Sequence, residues 1–271
     1  MADARPDILA LDFDGVLCEG TREYFETSRR THAHVWPGHA RVGDGLFADF
    51  RELRPVIETG WEMPVLLDAL VQGVAKASMH DAWGTARDEL LARDARGRDR
   101  VVAALKSTLD RVRREWIDAD GQDWLSRHAL YADREAVRRV VQAPARTVIV
   151  TTKEGDFARQ ILEHWAIPVA AIQGKEAGSH KCENLRQLRS AWHEERGTAP
   201  ALWFVEDRLE TLECVRGHAD LDDVGLFLAT WGYNTPRTRE AARRAPRIGL
   251  LTLEEFTGPF SRWGAGSARP G

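Results

Sequence analysis

Short runs of consecutive apolar residues predict the strands of this chain. The runs are four to six residues long, show no apolar–polar alternation and are typical of strands buried on both faces of a parallel sheet. They span 8–11, 147–150, 169–172, 201–205, 224–229 and 248–251. The first run is separated from the others by more than a hundred residues of different pattern.

Amphipathic stripes predict helices in that long stretch, roughly 19–130. Apolar residues three and four positions apart place one apolar face on a helix. One such stripe contains Leu46, Phe50, Leu53 and Ile57, and a second contains Val102, Leu105, Leu109, Val112 and Trp116. The charged segment 93–100 predicts a solvated connection between them.

Helical stripes also lie between the later strands, at Ile161, Leu162 and Trp165 and at Leu185, Leu188 and Trp192. Strands that alternate with helices predict a parallel sheet with right-handed crossovers, which is a doubly wound α/β fold. We therefore expect an α/β core from 1–18 and 131–257, with a helical domain, 19–130, inserted after the first strand. The Gly-, Pro- and Ser-rich segment 258–271 predicts a frayed tail.

Composition narrows the class of protein. The 271 residues are 43% hydrophobic and 30% charged, with a formal charge of −4, which argues against bulk binding to nucleic acid or to an acidic membrane. No apolar run approaches the ~18 residues of a membrane span, and the N-terminus lacks a secretory signal pattern. The three cysteines, Cys18, Cys182 and Cys214, form neither a disulfide framework nor a zinc pattern. We expect a cytoplasmic protein without nucleic-acid or membrane partners.

Polar and charged side chains follow the predicted strands. In open parallel sheets, ligands bind beyond the carboxyl ends of the strands, so these residues are expected to share one rim. They are Asp12, Asp14 and Gly15 after the first run, Thr151, Thr152 and Lys153 after the second, Lys181 at a helix start, and Glu206 and Asp207 after 201–205. Each is common alone, but together they supply a nucleophile, oxygen ligands for a cation and positive charge, as phosphoryl transfer requires.

These segments resemble the four motifs of the haloacid dehalogenase superfamily. The strand and acidic loop ILALDFDGVL match its first motif, TVIVT with Thr151 its second, Lys181 its third, and FVEDRLETL its fourth. The position of the insertion, between the first and second motifs, resembles a helical cap of the C1 class.

Two positions in the motifs leave alternatives. Lys175 and Lys181 compete for the third motif, and the 26-residue spacing of Lys181 from Asp207 favours Lys181. In the fourth motif, many members of the superfamily have Gly-Asp where this chain has Glu206-Asp207. Which of these two carboxylates contacts a metal directly stays open.

The resemblance implies a Mg²⁺-dependent phosphatase that acts on a small phosphorylated metabolite. Asp12 would form an aspartyl-phosphate, and Asp14 would act as general acid and base. The Mg²⁺ would be held by the Asp12 side chain, the Asp14 main-chain carbonyl, and Glu206 or Asp207. The phosphoryl group would be bound by Gly15, Thr151, Thr152, Lys181 and the N–H groups of the helix that follows.

Other activities on the same core are less well supported. A dehalogenase lacks the second aspartate, and a phosphonate hydrolase needs a lysine that 16–63 does not contain. A phosphosugar mutase uses the same residues and remains an alternative, as does an inactive binding protein with this fold.

One further cluster of histidines precedes the helical stripes. His32, His34 and His39 could bind a metal, but the sequence provides no carboxylate or cysteine that completes the set. We therefore expect these histidines to lie at the surface or to pack within the inserted domain.

Overall fold

The structure, a computed structural model, describes residues 5–178 and 180–263 of the chain. Its residues up to Glu19 and from Ala129 onward form one compact unit, and Gly20–His128 form a second. Each unit contains its own buried core.

Helices make up the second unit, where the described residues contain no strand. They are α1 (Thr21–Val35), α2 (Phe47–Leu53), α3 (Glu62–Val71), α4 (Lys76–Ala92) and α5 (Arg98–Ser126). On α5, the predicted stripe is buried at Leu105, Leu109, Val112 and Trp116, with Val101 in place of Val102 as its first buried member.

The predicted stripe from Leu46 to Ile57 is wrong as a single helix. The helix α2 ends at Leu53, and a 3₁₀ turn, Arg54–Val56, follows it. Pro55 explains the break, since its ring clashes with the preceding turn of an α-helix and it has no N–H group to donate. Ile57 is nevertheless buried, so the apolar spacing correctly indicates the core position.

A parallel sheet forms the centre of the first unit, which confirms the predicted α/β fold. Its strands are β1 (Ile8–Leu11), β4 (Arg146–Val150), β5 (Ala171–Gln173), β6 (Leu202–Glu206), β7 (Gly225–Ala229) and β8 (Ile248–Leu251), and the shorter β2 (Cys18–Glu19) and β3 (Ala129–Leu130) lie outside it. The strand order is β5-β4-β1-β6-β7-β8. The chain first builds outward from β1 through β4 and β5, then returns to the other side of β1 with β6. The boundary between β1 and β6 is therefore the topological switch point, where such sheets bind ligands.

Helices lie between the strands of this unit, as alternation of the two element types requires. They are α6 (Arg134–Val141), α7 (Gly155–His164), α8 (Lys181–Arg196), α9 (Leu209–Arg216), α10 (Pro236–Arg244) and α11 (Leu253–Thr257). Leu185 of α8 and Leu212 of α9 pack with Ile8 and Phe204 of the sheet in one buried cluster. Because β1 is buried on both faces, its four side chains are all apolar.

Two features of the first unit differ from or add to the sequence prediction. The strands β2 and β3 pair antiparallel, Cys18 with Leu130 and Glu19 with Ala129. Trp263, which lies within the predicted frayed tail 258–271, is only 2% exposed. Its ring lies 5.0–5.7 Å from four aromatic rings, those of Trp203, Phe227, Phe256 and Phe260. The remainder of that tail, 264–271, lies outside the described residues.

In the part of the chain that the structure describes, no helix has the length and apolarity to cross a bilayer.

Candidate active site

Three buried carboxylates meet at the switch point of the sheet. The strands β1 and β6 are parallel, with Leu11 opposite Val205, so the residues that follow these two lie side by side. Asp12, Glu206 and Asp207 each place a carboxylate oxygen within 4.8 Å of the other two. All three side chains are buried, so the repulsion between them is only weakly screened by water.

Lys181 lies among these carboxylates. Its Nζ donates to Asp12 Oδ1 at 2.7 Å and to the main-chain oxygen of Val150 at 2.6 Å. It also forms an ion pair with Glu206 Oε2 at 3.2 Å. Because Lys181 is the first residue of α8, the helix directs it from beside the sheet into the site. The competing Lys175 is exposed, so of these two lysines the structure brings only Lys181 to Asp12.

The two oxygens of Asp12 have different surroundings. Oδ1 accepts from the Phe13 main-chain N–H at 2.8 Å as well as from Lys181. Oδ2 accepts no hydrogen bond from any residue that the structure describes. The first oxygen therefore fixes the orientation of the carboxylate, and the second keeps its lone pairs for a ligand or for attack.

Burial and charge shift the ionisation of this cluster. Burial, then the charge of Glu206, raises the pKa of Asp12 to about 7, against the opposing effect of Lys181. Burial also raises the pKa of Glu206, with Lys181 again opposing and Asp207 adding to the rise. Burial disfavours the ammonium of Lys181, but Asp12 and Glu206 outweigh it and raise the pKa of this lysine. The single ammonium of Lys181 therefore does not balance the negative charge of the carboxylates of Asp12, Glu206 and Asp207.

Main-chain N–H groups orient the acidic pair at the end of β6, Glu206 and Asp207. Glu206 Oε1 accepts from the N–H groups of Asp207 and Arg208, both at 3.1 Å. Asp207 Oδ2 accepts from the N–H of Tyr233 at 2.7 Å. Asn234 donates from Nδ2 to the main-chain oxygen of Asp207 at 3.0 Å, which ties the loop after β7 to the end of β6.

Two glycines leave room for the Asp207 side chain. Gly15 has a φ of +90°, and a Cβ there would lie 2.0 Å from Asp207 Oδ2. A Cβ on Gly232 would lie 2.4 Å from the Cβ of Asp207 and 2.4 Å from the main-chain oxygen of Gly15. The loop after β1, the end of β6 and the loop after β7 can approach this closely only because both positions lack a side chain.

Asp14 is held by Lys153, which the sequence predicts on the same rim without a specific role. Lys153 Nζ donates to both carboxylate oxygens of Asp14 at 3.2 Å. Lys153 in turn donates its main-chain N–H to Thr151 Oγ1 at 3.1 Å. The Thr151 side chain is buried, and its hydroxyl proton is directed to no described residue. It therefore remains available to an incoming oxygen.

The residues at the start of α7 differ from the sequence prediction. Thr152 is exposed, unlike its neighbour Thr151. The N–H of Gly155, which begins α7, donates to Glu176 Oε2 at 3.1 Å. This N–H group already has an acceptor, whereas the resemblance implies that the N–H groups at the start of this helix bind phosphate.

The donor set fits a hard divalent cation. Asp12, Glu206 and Asp207 supply only oxygen, which Mg²⁺ prefers. Glu206 Oε2 is buried and has no hydrogen-bond partner among the described residues, although buried polar atoms are normally paired. Three carboxylates around one ammonium leave an excess of negative charge that a cation would neutralise.

Several residues of this cluster carry only a weak signal in the sequence, which is their position after a predicted strand. Lys153 follows a predicted strand, and that position is its only signal. Gly232, Tyr233 and Asn234 follow the run 224–229 and could have been found by examining that strand end as well. Nothing in the spacing of Gly232, Tyr233 and Asn234 from Asp207 indicates that these residues lie against it.

Comparison with known proteins leads to the same architecture. No protein-family model matches the sequence, and no curated protein does. Among solved structures, a predicted phosphatase from Clostridium acetobutylicum is similar, with a TM-score of 0.54 at 15% identity over 94% of this chain and 97% of that one. A predicted phosphoglycolate phosphatase from Haemophilus somnus gives 0.56 at 13% identity, over 93% and 95%. A haloacid dehalogenase-like family hydrolase from Streptococcus pneumoniae gives 0.54 at 12% identity, over 91% and 93%. The chain therefore has the fold of the haloacid dehalogenase-like hydrolases.

Proposed function

We propose that this protein is a Mg²⁺-dependent phosphatase that hydrolyses a small phosphorylated metabolite through an aspartyl-phosphate on Asp12. The observation that carries the proposal is the convergence of Asp12, Lys181, Glu206 and Asp207 at the switch point of the sheet. The similar structures that are named as phosphatases support the same class of reaction.

Asp12 is the nucleophile in this proposal. Lys181 and the Phe13 N–H hold Oδ1, so Oδ2 attacks phosphorus while the bond from phosphorus to the ester oxygen breaks. The burial of Asp12 keeps bulk water away from the intermediate. Its pKa of about 7 lets the carboxylate ionise near neutral pH.

Asp14 transfers the protons in both steps. It gives a proton to the leaving ester oxygen, then takes one from the water that attacks the aspartyl-phosphate and releases phosphate. Lys153 holds both Asp14 oxygens and so fixes its position beside the reacting group. Thr151 donates its hydroxyl proton to a phosphoryl oxygen, and Lys181 stabilises the negative charge that develops there.

The carboxylates of Asp12 and of Glu206 or Asp207, with the main-chain carbonyl of Asp14, would hold Mg²⁺. When bound, the ion screens the repulsion between the anionic nucleophile and the anionic phosphate. At ~4 Å, two such unit charges repel by about 4 kcal/mol at an effective dielectric near 20. Uncompensated, this repulsion would slow the reaction about a thousandfold.

Hydrolysis of an aryl phosphate with excess Mg²⁺ tests the proposal. Asp12→Asn should reduce turnover by about 10⁴-fold or more, and removal of Mg²⁺ by a chelator should abolish it. Asp156→Asn, an exposed aspartate on α7, is the control and should retain full activity. Full activity of Asp12→Asn, or of the chelated protein, would reject the mechanism.

Analysis of the products separates this function from the alternatives. Free phosphate from a phosphorylated sugar indicates a phosphatase, whereas an isomer of the starting ester indicates a phosphosugar mutase. No turnover of any phosphate ester by the Mg²⁺-loaded protein would indicate an inactive binding protein.

A further inference from the structure

The helical unit contains a second group of metal-binding side chains. His32 lies in the last turn of α1, and a turn in which the His39 N–H donates to the main-chain oxygen of Trp36 brings His39 back beside it. Asp68 of α3 completes the group that the sequence left without a carboxylate. Each of the three offers a ligand atom, and these atoms lie within 4.8 Å of one another.

Both imidazoles converge on the same oxygen atom. His32 Nε2 lies 3.0 Å from Asp68 Oδ1, and His39 Nδ1 lies 2.6 Å from it. For both to be hydrogen bonds, each ring must carry its proton on the nitrogen that faces Asp68. A divalent cation that replaces those two protons would have two nitrogen lone pairs and one carboxylate oxygen within reach, since the three atoms lie within 4.8 Å of one another.

We propose that His32, His39 and Asp68 form a binding site for Zn²⁺. Two imidazoles favour a transition metal over Mg²⁺ or Ca²⁺, which take oxygen ligands. Two histidines and one carboxylate are a known zinc ligand set, with the fourth position left for water. Ligand atoms bonded at about 2 Å to one tetrahedral Zn²⁺ lie about 3.3 Å from one another, so the two nitrogens, now 3.0 and 2.6 Å from Asp68 Oδ1, need to move only slightly away from it.

The surroundings of the three ligands support this assignment. Gln72 donates from Nε2 to the other oxygen of Asp68 at 2.6 Å, which leaves Oδ1 turned towards the imidazoles. Trp36 stacks on His39, with the rings 5.9 Å apart and 9° from parallel, and its Nε1 is anchored on Asp94 at 2.9 Å. These contacts restrict the ligands before any ion arrives.

Access to the site is open on one side. The side chains of His32 and Asp68 are 2% and 5% exposed, whereas that of His39 is 40% exposed. An ion can therefore enter beside His39 without opening the helical core. A bound Zn²⁺ would join α1, the segment that follows it and α3 by three bonds.

Titration of the full-length, metal-free protein with Zn²⁺, against a chromophoric chelator and in excess Mg²⁺, tests the site. The excess Mg²⁺ competes with Zn²⁺ for the oxygen-only cluster around Asp12, which the proposed function assigns to Mg²⁺. Wild type should bind one more equivalent of Zn²⁺ than His39→Ala, or hold it about 100-fold more tightly. Gln72→Ala, which removes only the orienting contact, should weaken binding by about 10-fold.

The chain supplies a matched control in His34, which is exposed on α1 two residues from His32. His34→Ala should bind Zn²⁺ as wild type does. Co²⁺ gives a second readout that separates this site from Cys182 and Cys214, whose Sγ atoms lie 3.5 Å apart. The proposed site should give visible d–d bands that are lost in His39→Ala, without the near-ultraviolet charge-transfer band of a thiolate.

Two results would overturn the proposal. One is equal stoichiometry and affinity for wild type and His39→Ala, which would leave a hydrogen-bonded network only. The other is equal loss in His34→Ala, which would indicate nonspecific binding by surface imidazoles. Since His39 is partly exposed, its substitution should preserve the fold, and a circular dichroism spectrum matching that of wild type will verify this.

Discussion

Replacement of Lys181 by methionine should cost more stability than any surface change, and by an amount that depends on pH. Lys181 Nζ lies 2.7 Å from Asp12 Oδ1 and 3.2 Å from Glu206 Oε2. At an effective dielectric of 20, these separations correspond to gross attractions of about 6 and about 5 kcal/mol. Burial of the ammonium and the carboxylates offsets most of this.

The net loss of stability in Lys181→Met is the cost of leaving two buried carboxylates, those of Asp12 and Glu206, without the Lys181 ammonium. Removal of one partner of a buried ion pair typically destabilises a protein by about 3–5 kcal/mol, so we expect that loss for Lys181→Met at pH 8 without Mg²⁺. Burial already raises the pKa of both Asp12 and Glu206, and loss of the opposing lysine raises them further. The folded variant then holds protons that the unfolded chain releases above about pH 4.

The pH dependence follows from this difference in bound protons. Since the folded state holds more protons, the free energy of unfolding of Lys181→Met falls as pH rises from about 4 through the raised pKa values. Protonation at pH 5 should therefore reduce the loss by about 1 kcal/mol or more. Urea unfolding followed by tryptophan fluorescence, with a chelator present, measures both values.

Lys175→Met is the matched control, because Lys175 is exposed and is the other lysine that could match the third motif. It should change the free energy of unfolding by no more than about 0.5 kcal/mol at either pH. A loss below about 1 kcal/mol for Lys181→Met, or the same loss at pH 5 and pH 8, would refute the reasoning. Either result would mean that the carboxylates are better solvated than their burial indicates.

Three further predictions concern the same cluster. Gly15→Ala should destabilise the protein by about 2–4 kcal/mol in urea unfolding, because its Cβ would overlap the Asp207 side chain. Gly97 has a similar φ of +84°, but a Cβ there would meet no atom, so Gly97→Ala should destabilise the protein by only about 1–2 kcal/mol in the same assay. Without Mg²⁺, the free energy of unfolding of wild type relative to that of Asp12→Asn should fall by up to about 4 kcal/mol as pH rises from 4 to 7. The reason is that Asp12, with a pKa of about 7 in the folded state, holds a proton there that the unfolded chain releases. A difference that does not change with pH would contradict this pKa. Lys153→Met should lower kcat about 10–100-fold for alkyl phosphates and less for aryl phosphates, whose leaving groups need no acid, and an equal loss for both would argue against a role in general acid catalysis.

The sequence predicts the central strands of the sheet well because they are buried on both faces, whereas the partly exposed edge strand β5 overlaps its predicted run 169–172 only at two residues. A strand such as β1 must be apolar at every position, and four consecutive apolar residues are visible without any knowledge of partners. The residues just past such a strand must lie at its carboxyl end. For that reason Asp12 and Lys181 could be named from the sequence, and the structure brings the two together.

Contacts between distant segments could not be predicted in the same way. Asp68 lies 36 residues from His32 and nothing in the spacing links them, so the sequence offered two histidines without their carboxylate. Trp263 sits in a segment whose Gly, Pro and Ser content predicts fraying, yet its ring packs among aromatic side chains. Composition describes local flexibility, whereas both of these outcomes depend on which surfaces meet in the fold.

The pairing of β2 with β3 has a consequence for how this protein could change over generations. The chain leaves and re-enters the first unit through adjacent paired residues, Glu19 and Ala129. For the first unit, the segment between Glu19 and Ala129 is one loop, and the pairing of β2 with β3 already holds its two ends together. The entropic penalty of a closed loop grows only with the logarithm of its length, by about 0.6 kcal/mol per doubling. Descendants of this gene could therefore lengthen, shorten or exchange the segment between those two residues at little thermodynamic penalty to the sheet.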